Sequence, residues 1–161
     1  MGVKLYKTYN LSKNKIENIC KLKSSFWKFS ITQQKNWFKK NIAYNDLHFC
    51  YETSRKILGY NSLKKKNFLF KKKKINYFLF DTFIINKKFR NQGISKKIMN
   101  KNISFLKKNE KIGILQCEIK HIKFYKKLGW SLLKNNKSIR IKVRRKMKIM
   151  FVNFSLINFV N

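Results

Sequence analysis

The feature that most constrains the fold is a segment of helical period between two apolar runs. The first run is 75–85, INYFLFDTFII, and the second is 112–117, IGILQC. Between them, Ile94–Lys108 places its apolar residues on one half of a helical wheel and its lysines on the other. A helix with one apolar side between two apolar strands predicts a right-handed βαβ crossover, in which the two strands are parallel.

The connection from the first strand to this helix is basic and contains one glycine. Residues 86–95 read NKKFRNQGIS. The beginning of a helix presents unpaired backbone N–H groups and the positive end of the helix dipole, which together suit an anion. Gly93 lets a ligand approach the backbone closely, and Arg90 adds a fixed charge. The local chemistry leaves two interpretations open, an anion-binding turn or a βα connection without a ligand.

The N-terminal quarter of the chain predicts two helices. Apolar residues recur at helical spacing over residues 12–43, with a break near Ser30. Ser12 is a candidate start for the first helix and Thr32 a candidate cap for the second.

The other apolar runs predict strands. A hairpin is predicted from the runs at 47–52 and 56–63, and exposed turns from the lysine clusters at 64–66 and 71–74. The last part of the chain predicts a short strand at 131–134, a turn at Asn135 and Asn136, and strands around 139–143 and 148–154. These elements predict one α/β domain spanning residues 1–161.

The net charge of +34 has two possible causes. Such a surface is typical of proteins that bind nucleic acid or anionic membranes. The chain also has no proline and a single alanine, Ala43, while lysine, asparagine, isoleucine and phenylalanine abound. An AT-rich genome produces this composition without selection for any partner. We therefore attribute the charge mainly to the nucleotide composition of the genome, and expect only non-specific, salt-sensitive binding of nucleic acid.

The cysteines and the chain termini bear on the compartment. Three widely spaced cysteines, Cys20, Cys50 and Cys117, indicate neither a disulfide framework nor a zinc or other metal site, and suit a reducing cytosol. The first ten residues lack the apolar segment of a signal peptide, and the apolar tail at 149–160 is too short to span a bilayer. The sequence predicts a soluble, cytoplasmic protein without a membrane partner.

Three motifs carry a resemblance to a known family. FRNQGIS at 89–95 resembles the coenzyme A pyrophosphate loop of the GCN5-related N-acetyltransferase (GNAT) superfamily, whose pattern is Arg/Gln-x-x-Gly-x-Gly/Ala. The strand at 80–85 and FYKKLGW at 124–130 are similar to that family's neighbouring motifs. The resemblance covers about residues 46–154. Ser95 departs from the pattern, because it stands where the family has glycine or alanine.

The resemblance implies a fold and a cosubstrate. The fold is α/β (α+β), with a mixed, mostly antiparallel sheet flanked by helices and a central parallel strand pair splayed around acetyl-CoA. Backbone groups of Phe83, Ile84 and Ile85 would pair with the pantetheine arm. The pyrophosphate would be held by the loop residues, which are Arg90, Asn91, Gln92, Gly93, Ile94 and Ser95.

The resemblance also implies catalytic roles. Tyr125 matches the family's frequent general acid, and a phenol of pKa ~10 keeps its proton at neutral pH. Two carboxylates are candidates for the base, Asp81 within the first apolar strand and Glu118 at the end of the second. Cys117 is interpreted as a packing residue, since no histidine is placed to activate it.

The predicted function is direct transfer of an acetyl group from acetyl-CoA to an amine by a monomer or homodimer. The alternative is a non-catalytic, basic nucleic-acid or ribosome-binding protein on the same fold. The acceptor is not identified by the sequence, but its pocket is expected within residues 20–52 and the last strands. The candidate acceptor contacts there are Trp27, Trp37, Asp46, His48 and Glu52.

Overall fold

The computed structural model describes residues 1–54, 56–133, 141, 143–144, 146–153 and 155. Four α-helices and seven strands lie in these residues. In chain order they are β1 Gly2–Lys7, α1 Lys13–Ser24, α2 Ile31–Asn41, β2 Leu47–Glu52, β3 Ile57–Phe70, β4 Lys73–Ile85, α3 Ile94–Lys108, β5 Gly113–Glu118, α4 Ile122–Lys127, β6 Ser131–Leu132 and β7 Met147–Val152.

The strands form one mixed sheet in the order β1-β2-β3-β4-β5-β7-β6. The pairs β1–β2, β2–β3, β5–β7 and β6–β7 are antiparallel. The pair β4–β5 is parallel, with Phe78 opposite Gly113 and Leu79 opposite Ile114. The predicted fold class and the predicted parallel pair on either side of α3 are therefore confirmed.

Serine side chains begin the first two helices. The Ser12 hydroxyl accepts a hydrogen bond from the Lys15 amide at 3.2 Å, as predicted. The prediction of Thr32 as the cap of α2 is wrong. Ser30 caps that helix through a reciprocal pair of bonds with Gln33, at 2.8 and 3.1 Å. The Ser-x-x-Gln spacing satisfies two terminal amides at once, which a threonine inside the first turn could not do.

The lysine clusters correct the predicted turns. Residues 64–66 belong to β3, and Lys64 is buried, because the strand continues through the cluster. The chain reverses at Lys71 and Lys72, whose φ angles are 44° and 65°. Two consecutive positive φ angles are those of a tight hairpin turn. Strand β1 was not predicted, since its six residues alternate only weakly between apolar and polar.

Some predicted elements cannot be compared with the structure. The strand predicted at 131–134 can be compared only in part: β6 comprises Ser131–Leu132, and residue 134 lies outside the described residues. The turn at Asn135 and Asn136 and most of the strand predicted around 139–143 lie outside the described residues. Each helix that the structure describes is too short or too polar to span a bilayer.

The chain divides into two compact units. Unit 1 comprises 1–64 and 81–101, and unit 2 comprises 65–80 and 102–161. Strands β3 and β4 and helix α3 contribute residues to each unit. The single domain over residues 1–161 stays a prediction.

Unit 1 has an apolar core between α1, α2 and the sheet. Its buried members are Leu11, Ile19, Cys20, Leu22, Phe38, Cys50, Ile57, Tyr60 and Ile84. The beginning of α3 packs closely on β3 at Gly59. A Cβ atom there would lie 2.8 Å from Ile98 Cδ1 and 2.9 Å from Ile94 Cγ2, so a larger residue would displace the helix side chains.

Unit 2 has a second core around β5 and β7. Its buried members are Phe68, Ile75, Tyr77, Ile112, Ile114 and Ile149. Trp130 is buried elsewhere in unit 2 and contacts Phe80 edge-on, with ring centroids 5.4 Å apart. Burial of these large side chains supplies the apolar area that stabilises the unit.

His48 is a buried structural residue of unit 1. Its Nδ1 lies 2.8 Å from the Tyr60 hydroxyl and its Nε2 lies 2.9 Å from Thr8 Oγ1. The Phe38 ring stacks on the imidazole at 5.5 Å. Burial, with a smaller effect from the Lys64 charge, lowers the pKa of His48 to about 4. The folded protein therefore holds this imidazole neutral at pH 5.

We predict that stability falls as the pH decreases from 7 to 5. Unfolded His48 takes up a proton below pH ~6.5 while the folded form does not, which costs up to about 3 kcal/mol by pH ~4. Urea denaturation across this range measures the loss. His48→Gln should lose the slope, whereas His121→Gln, at an exposed position, should keep it. A wild-type stability that is flat between pH 7 and 5 would contradict this account.

Candidate functional site

The connection between β4 and α3 lies entirely in unit 1. It consists of Asn86, a short 3₁₀ helix at Lys87–Phe89, and the exposed residues 90–93. The Asn86 amide donates to the Leu58 carbonyl at 2.8 Å, and its side chain accepts from the Lys88 amide at 3.1 Å. These bonds hold the start of the connection against β3.

Arg90 stands at the exposed side of this connection. Its Nε donates to the Ile85 carbonyl at 3.4 Å, and its guanidinium carbon lies 5.7 Å from the centre of the Phe26 ring. The bond and the cation–π contact keep the charge beside the end of β4. The guanidinium therefore adds positive charge next to the first turn of α3.

Gly93 shapes the beginning of α3. Its φ angle is +73° and that of Asn91 is +61°, so the chain turns through the left-handed region twice before the helix starts. The Lys97 amide bonds the Gly93 carbonyl at 3.1 Å. By helix geometry, the amides of Ile94, Ser95 and Lys96 then have no acceptor within the helix.

The space beside Gly93 is open. A Cβ atom at this position would have no heavy atom within 4 Å. Amide donors, the helix dipole and an adjacent guanidinium are features that bind a phosphate or pyrophosphate. The predicted loop residues thus form one continuous connection with suitable chemistry, and Ser95 is a small, half-buried member of the first turn.

Strand β4 contains a local distortion that was not predicted. Thr82 has a φ of +51° although it lies within the strand. The preceding carbonyl, of Asp81, accepts bonds from Asn61 Nδ2 at 3.0 Å and Ser62 Oγ at 3.1 Å. Side chains of β3 therefore satisfy a carbonyl that the distortion turns aside. The sequence signal is Asp81-Thr82, two polar residues that interrupt an apolar run.

Asp81 is ion-paired in the folded protein. Its Oδ2 lies 2.7 Å from Lys64 Nζ, and 23% of the Asp81 side chain is exposed. Lys64 Nζ also lies 4.5 Å from the Trp37 ring centre, and Lys23 Nζ lies 3.5 Å from that centre. We name Lys23, Trp37, Lys64 and Asp81 the basic cluster. The role of Asp81 as the base stays a prediction.

Three of the candidate acceptor contacts hold the fold together. Asp46 and Glu52 are buried along with His48. Asp46 Oδ2 accepts from the Ala43 amide at 2.9 Å. Glu52 lies 2.7 Å from both Lys15 Nζ and the Tyr6 hydroxyl. Burial is the largest single effect on the Glu52 carboxyl and raises its pKa, but the hydrogen bonds from Lys15, Tyr6 and Lys4 together lower that pKa by more.

Tyr125 lies on α4 in unit 2. Its ring meets the Phe80 and Phe124 rings edge-on, at 6.2 and 5.1 Å. Burial, and secondarily the nearby Cys117, raises the pKa of Tyr125 to about 12. The phenol therefore keeps its proton throughout the physiological range and can serve as a hydrogen-bond donor.

The other candidates in unit 2 differ in exposure. Glu118 is exposed and lies 2.7 Å from Lys120 Nζ. That bond lowers the pKa of the Glu118 carboxyl, which makes it a weaker base. Cys117 is buried with its Sγ 3.7 Å from Met150 Sδ, and burial raises the pKa of its thiol. The packing interpretation of Cys117 agrees with these contacts.

Known structures share this fold. Escherichia coli ElaA has a TM-score of 0.68 and 12% identity, over 92% of this chain and 97% of that one. An acyl-CoA N-acyltransferase from Pseudomonas aeruginosa has a TM-score of 0.69 and 9% identity, over 94% and 99%. The ribosomal-protein-S18-alanine N-acetyltransferase from Escherichia coli has a TM-score of 0.63 and 13% identity, over 93% and 92%.

The sequence comparisons identify the family. No curated protein sequence matches the chain significantly. The family model of the acetyltransferase (GNAT) domain matches residues 11–150, which include the β4–α3 connection and the motif at 124–130. This chain belongs to the GNAT acetyltransferase family, as the resemblance of those motifs predicted.

Proposed function

We propose that the protein is an N-acetyltransferase that transfers the acetyl group of acetyl-CoA directly to an amine. The observation that carries the proposal is the start of α3, where Gly93 turns through positive φ beside open space. The chain belongs to an acetyltransferase family, which supports acetyl-CoA as the anion that this geometry binds. Acetyl-CoA is a substrate in this proposal.

The proposed binding mode uses residues of unit 1. The amides of residues 91–95 hold the pyrophosphate, with Arg90 adding a charge at its edge. Backbone groups of Phe83, Ile84 and Ile85, which follow the distortion at Thr82, pair with the pantetheine arm as an added strand would. The surplus of lysine steers the anionic substrate toward the protein.

The proposed chemistry needs an acid and a base. The amine nitrogen attacks the thioester carbonyl, the C–N bond forms, the C–S bond breaks, and strand amides stabilise the charge on oxygen. Tyr125 donates its proton toward the leaving sulfur. Asp81 accepts the proton of the amine, and we place it ahead of Glu118 because the Glu118 side chain is more exposed, at 49% against 23%.

A non-catalytic role in binding nucleic acid is the second candidate, because the net charge is +34. Binding of RNA that weakens steeply with salt, without any heat stabilisation by acetyl-CoA, would favour it. Heat stabilisation by acetyl-CoA at high salt would favour the enzyme.

The role of the loop predicts different effects for two substitutions of Gly93. Gly93→Asn and Gly93→Asp share the strain of a positive φ and the added bulk, but only the aspartate brings a negative charge to the pyrophosphate. We expect Gly93→Asp to raise the Kd for acetyl-CoA at least about 10-fold more than Gly93→Asn does. The extra effect should shrink at high salt.

Isothermal titration calorimetry at low and high salt measures the difference between the Kd values of the two variants for acetyl-CoA. Equal Kd values for the wild type and Gly93→Asp would show that the pyrophosphate is held elsewhere.

The role of Tyr125 predicts a selective loss of turnover. Tyr125→Phe keeps the ring that meets Phe80, so we expect the fold and the KM for acetyl-CoA to be retained. The kcat should fall about 100-fold, a typical value for loss of a general acid. Tyr44→Phe, at an exposed position, is the matched control.

Thiol release measured from pH 6 to 10 completes the test, since the upper end of this range still lies roughly two units below the Tyr125 pKa. Because that pKa is about 12, deprotonation of Tyr125 should produce no alkaline decline within this range. Unchanged turnover in Tyr125→Phe would remove the general-acid assignment.

A further inference from the structure

The basic cluster brings two ammonium groups to one indole ring inside unit 1. Lys23 comes from α1, Trp37 from α2, Lys64 from β3 and Asp81 from β4. The Lys23 and Lys64 residues are 3% and 7% exposed. The cluster is therefore built from residues of four separate elements.

The charges of this cluster are not balanced by its own residues. Lys64 pairs with Asp81 at 2.7 Å. Within the described residues, no carboxylate lies within ion-pair distance of Lys23, whose ammonium instead contacts the Trp37 ring at 3.5 Å. Two lysines and one aspartate leave one positive charge in a mostly buried position, where charge is costly.

The cost is visible at Lys23 itself. Burial lowers the pKa of the Lys23 ammonium to about 8, with smaller effects from Cys20, Asp81 and Lys64. A cation–π contact offsets part of the desolvation, but an anion beside the ammonium would offset more. The side chain of Asp81 is 23% exposed, so solvent reaches the edge of the cluster.

We infer that Lys23 and Lys64, whose ammonium groups contact the Trp37 ring, bind the carboxylate of an acceptor that carries an amine and a carboxylate together, as an amino acid does. The cluster has the complementary charges, since Asp81 is placed to receive the amine while Lys23 receives the carboxylate. This inference rests on the proposed function and names the acceptor class of that site.

The position of Asp81 links the cluster to the proposed acetyl donor. Asp81 precedes the distortion at Thr82 and Phe83 follows it. The Cα atoms of Asp81 and Phe83 are therefore at most about 7 Å apart. An amine held at Asp81 is therefore adjacent to the backbone proposed to grip the pantetheine arm.

The test compares acceptors that differ only in the carboxylate. Glycine, leucine, glutamate and lysine are each assayed against the corresponding α-carboxamide, by thiol release from acetyl-CoA. For the accepted pair we expect kcat/KM to be at least about 10-fold higher for the carboxylate form. Lys23→Met, which keeps the length of the side chain and removes the charge, should bring that ratio within about twofold.

Two variants control this comparison. Lys39→Met, on the exposed side of α2, should keep the wild-type ratio. Lys23→Arg, which keeps a charge, should retain much of the preference. If Lys23 serves only packing, Lys23→Met changes the thermal midpoint and leaves the preference intact, which would overturn the inference.

A binding arm separates this inference from the proposed function. Tryptophan fluorescence is titrated with each of the same pairs without acetyl-CoA, and Trp37→Phe identifies the responding indole. A response to the carboxylate form that is absent in Lys23→Met supports the site even if no amine is acetylated. Equal responses to both forms, or no response to any of the eight compounds, would overturn the inference about the carboxylate site. Thiol release from other amines would in that case still support the proposed acetyltransferase function.

Discussion

The backbone of β4 has to satisfy two different requirements along its length. In unit 2 its earlier residues pair in parallel with β5, at Phe78 and Leu79. In unit 1 it passes through a positive φ at Thr82 before it leads into the loop and α3. A sheet carbonyl turned out of its ladder needs another donor. Asn61 and Ser62 supply two for Asp81, so the distortion is stabilised by polar residues that β3 carries inside its buried stretch.

This arrangement explains why polar residues occupy otherwise apolar strands. Asn61, Ser62 and Lys64 are all buried on β3. Each bonds to Asp81, the first two through its carbonyl and the third through its carboxylate. Buried polar groups that are mutually bonded rigidify a region and define its geometry. The same β3 side chains thus stabilise both the basic cluster and the adjoining part of β4 that is proposed to bind the acetyl donor.

Much of this architecture could be predicted from local patterns. The α3 segment separates its apolar and lysine faces so clearly that its bounds, Ile94 to Lys108, were predicted at both ends. The loop was predicted because the start of a helix suits an anion, Gly93 allows close approach of a ligand, and FRNQGIS resembles the family's pyrophosphate loop. The motif around Tyr125 was recognised by resemblance, and burial of that tyrosine adds a reason for its phenol to stay protonated.

The missed features depend on contacts between distant residues. Lys64 lies in a run of three lysines, which is typical of an exposed turn, and only Asp81 and Trp37 explain its burial. The distortion at Thr82 occurs without a glycine. Hydrogen bonds from β3 side chains to the preceding carbonyl stabilise it instead. Strand β1 is defined by its antiparallel pairing with β2 rather than by its own alternation. In each case the partner is far along the chain and carries no local signal.

The proposed function depends above all on binding of the coenzyme A pyrophosphate by the backbone at the start of α3. An NMR titration of ¹⁵N-labelled protein with coenzyme A at high salt tests it directly, since salt screens attraction to exposed lysines. We predict saturable shifts that are largest for the amides of Gln92, Gly93, Ile94 and Ser95. Shifts that are spread over the lysine-rich surfaces, with these four amides unmoved, would contradict the claim.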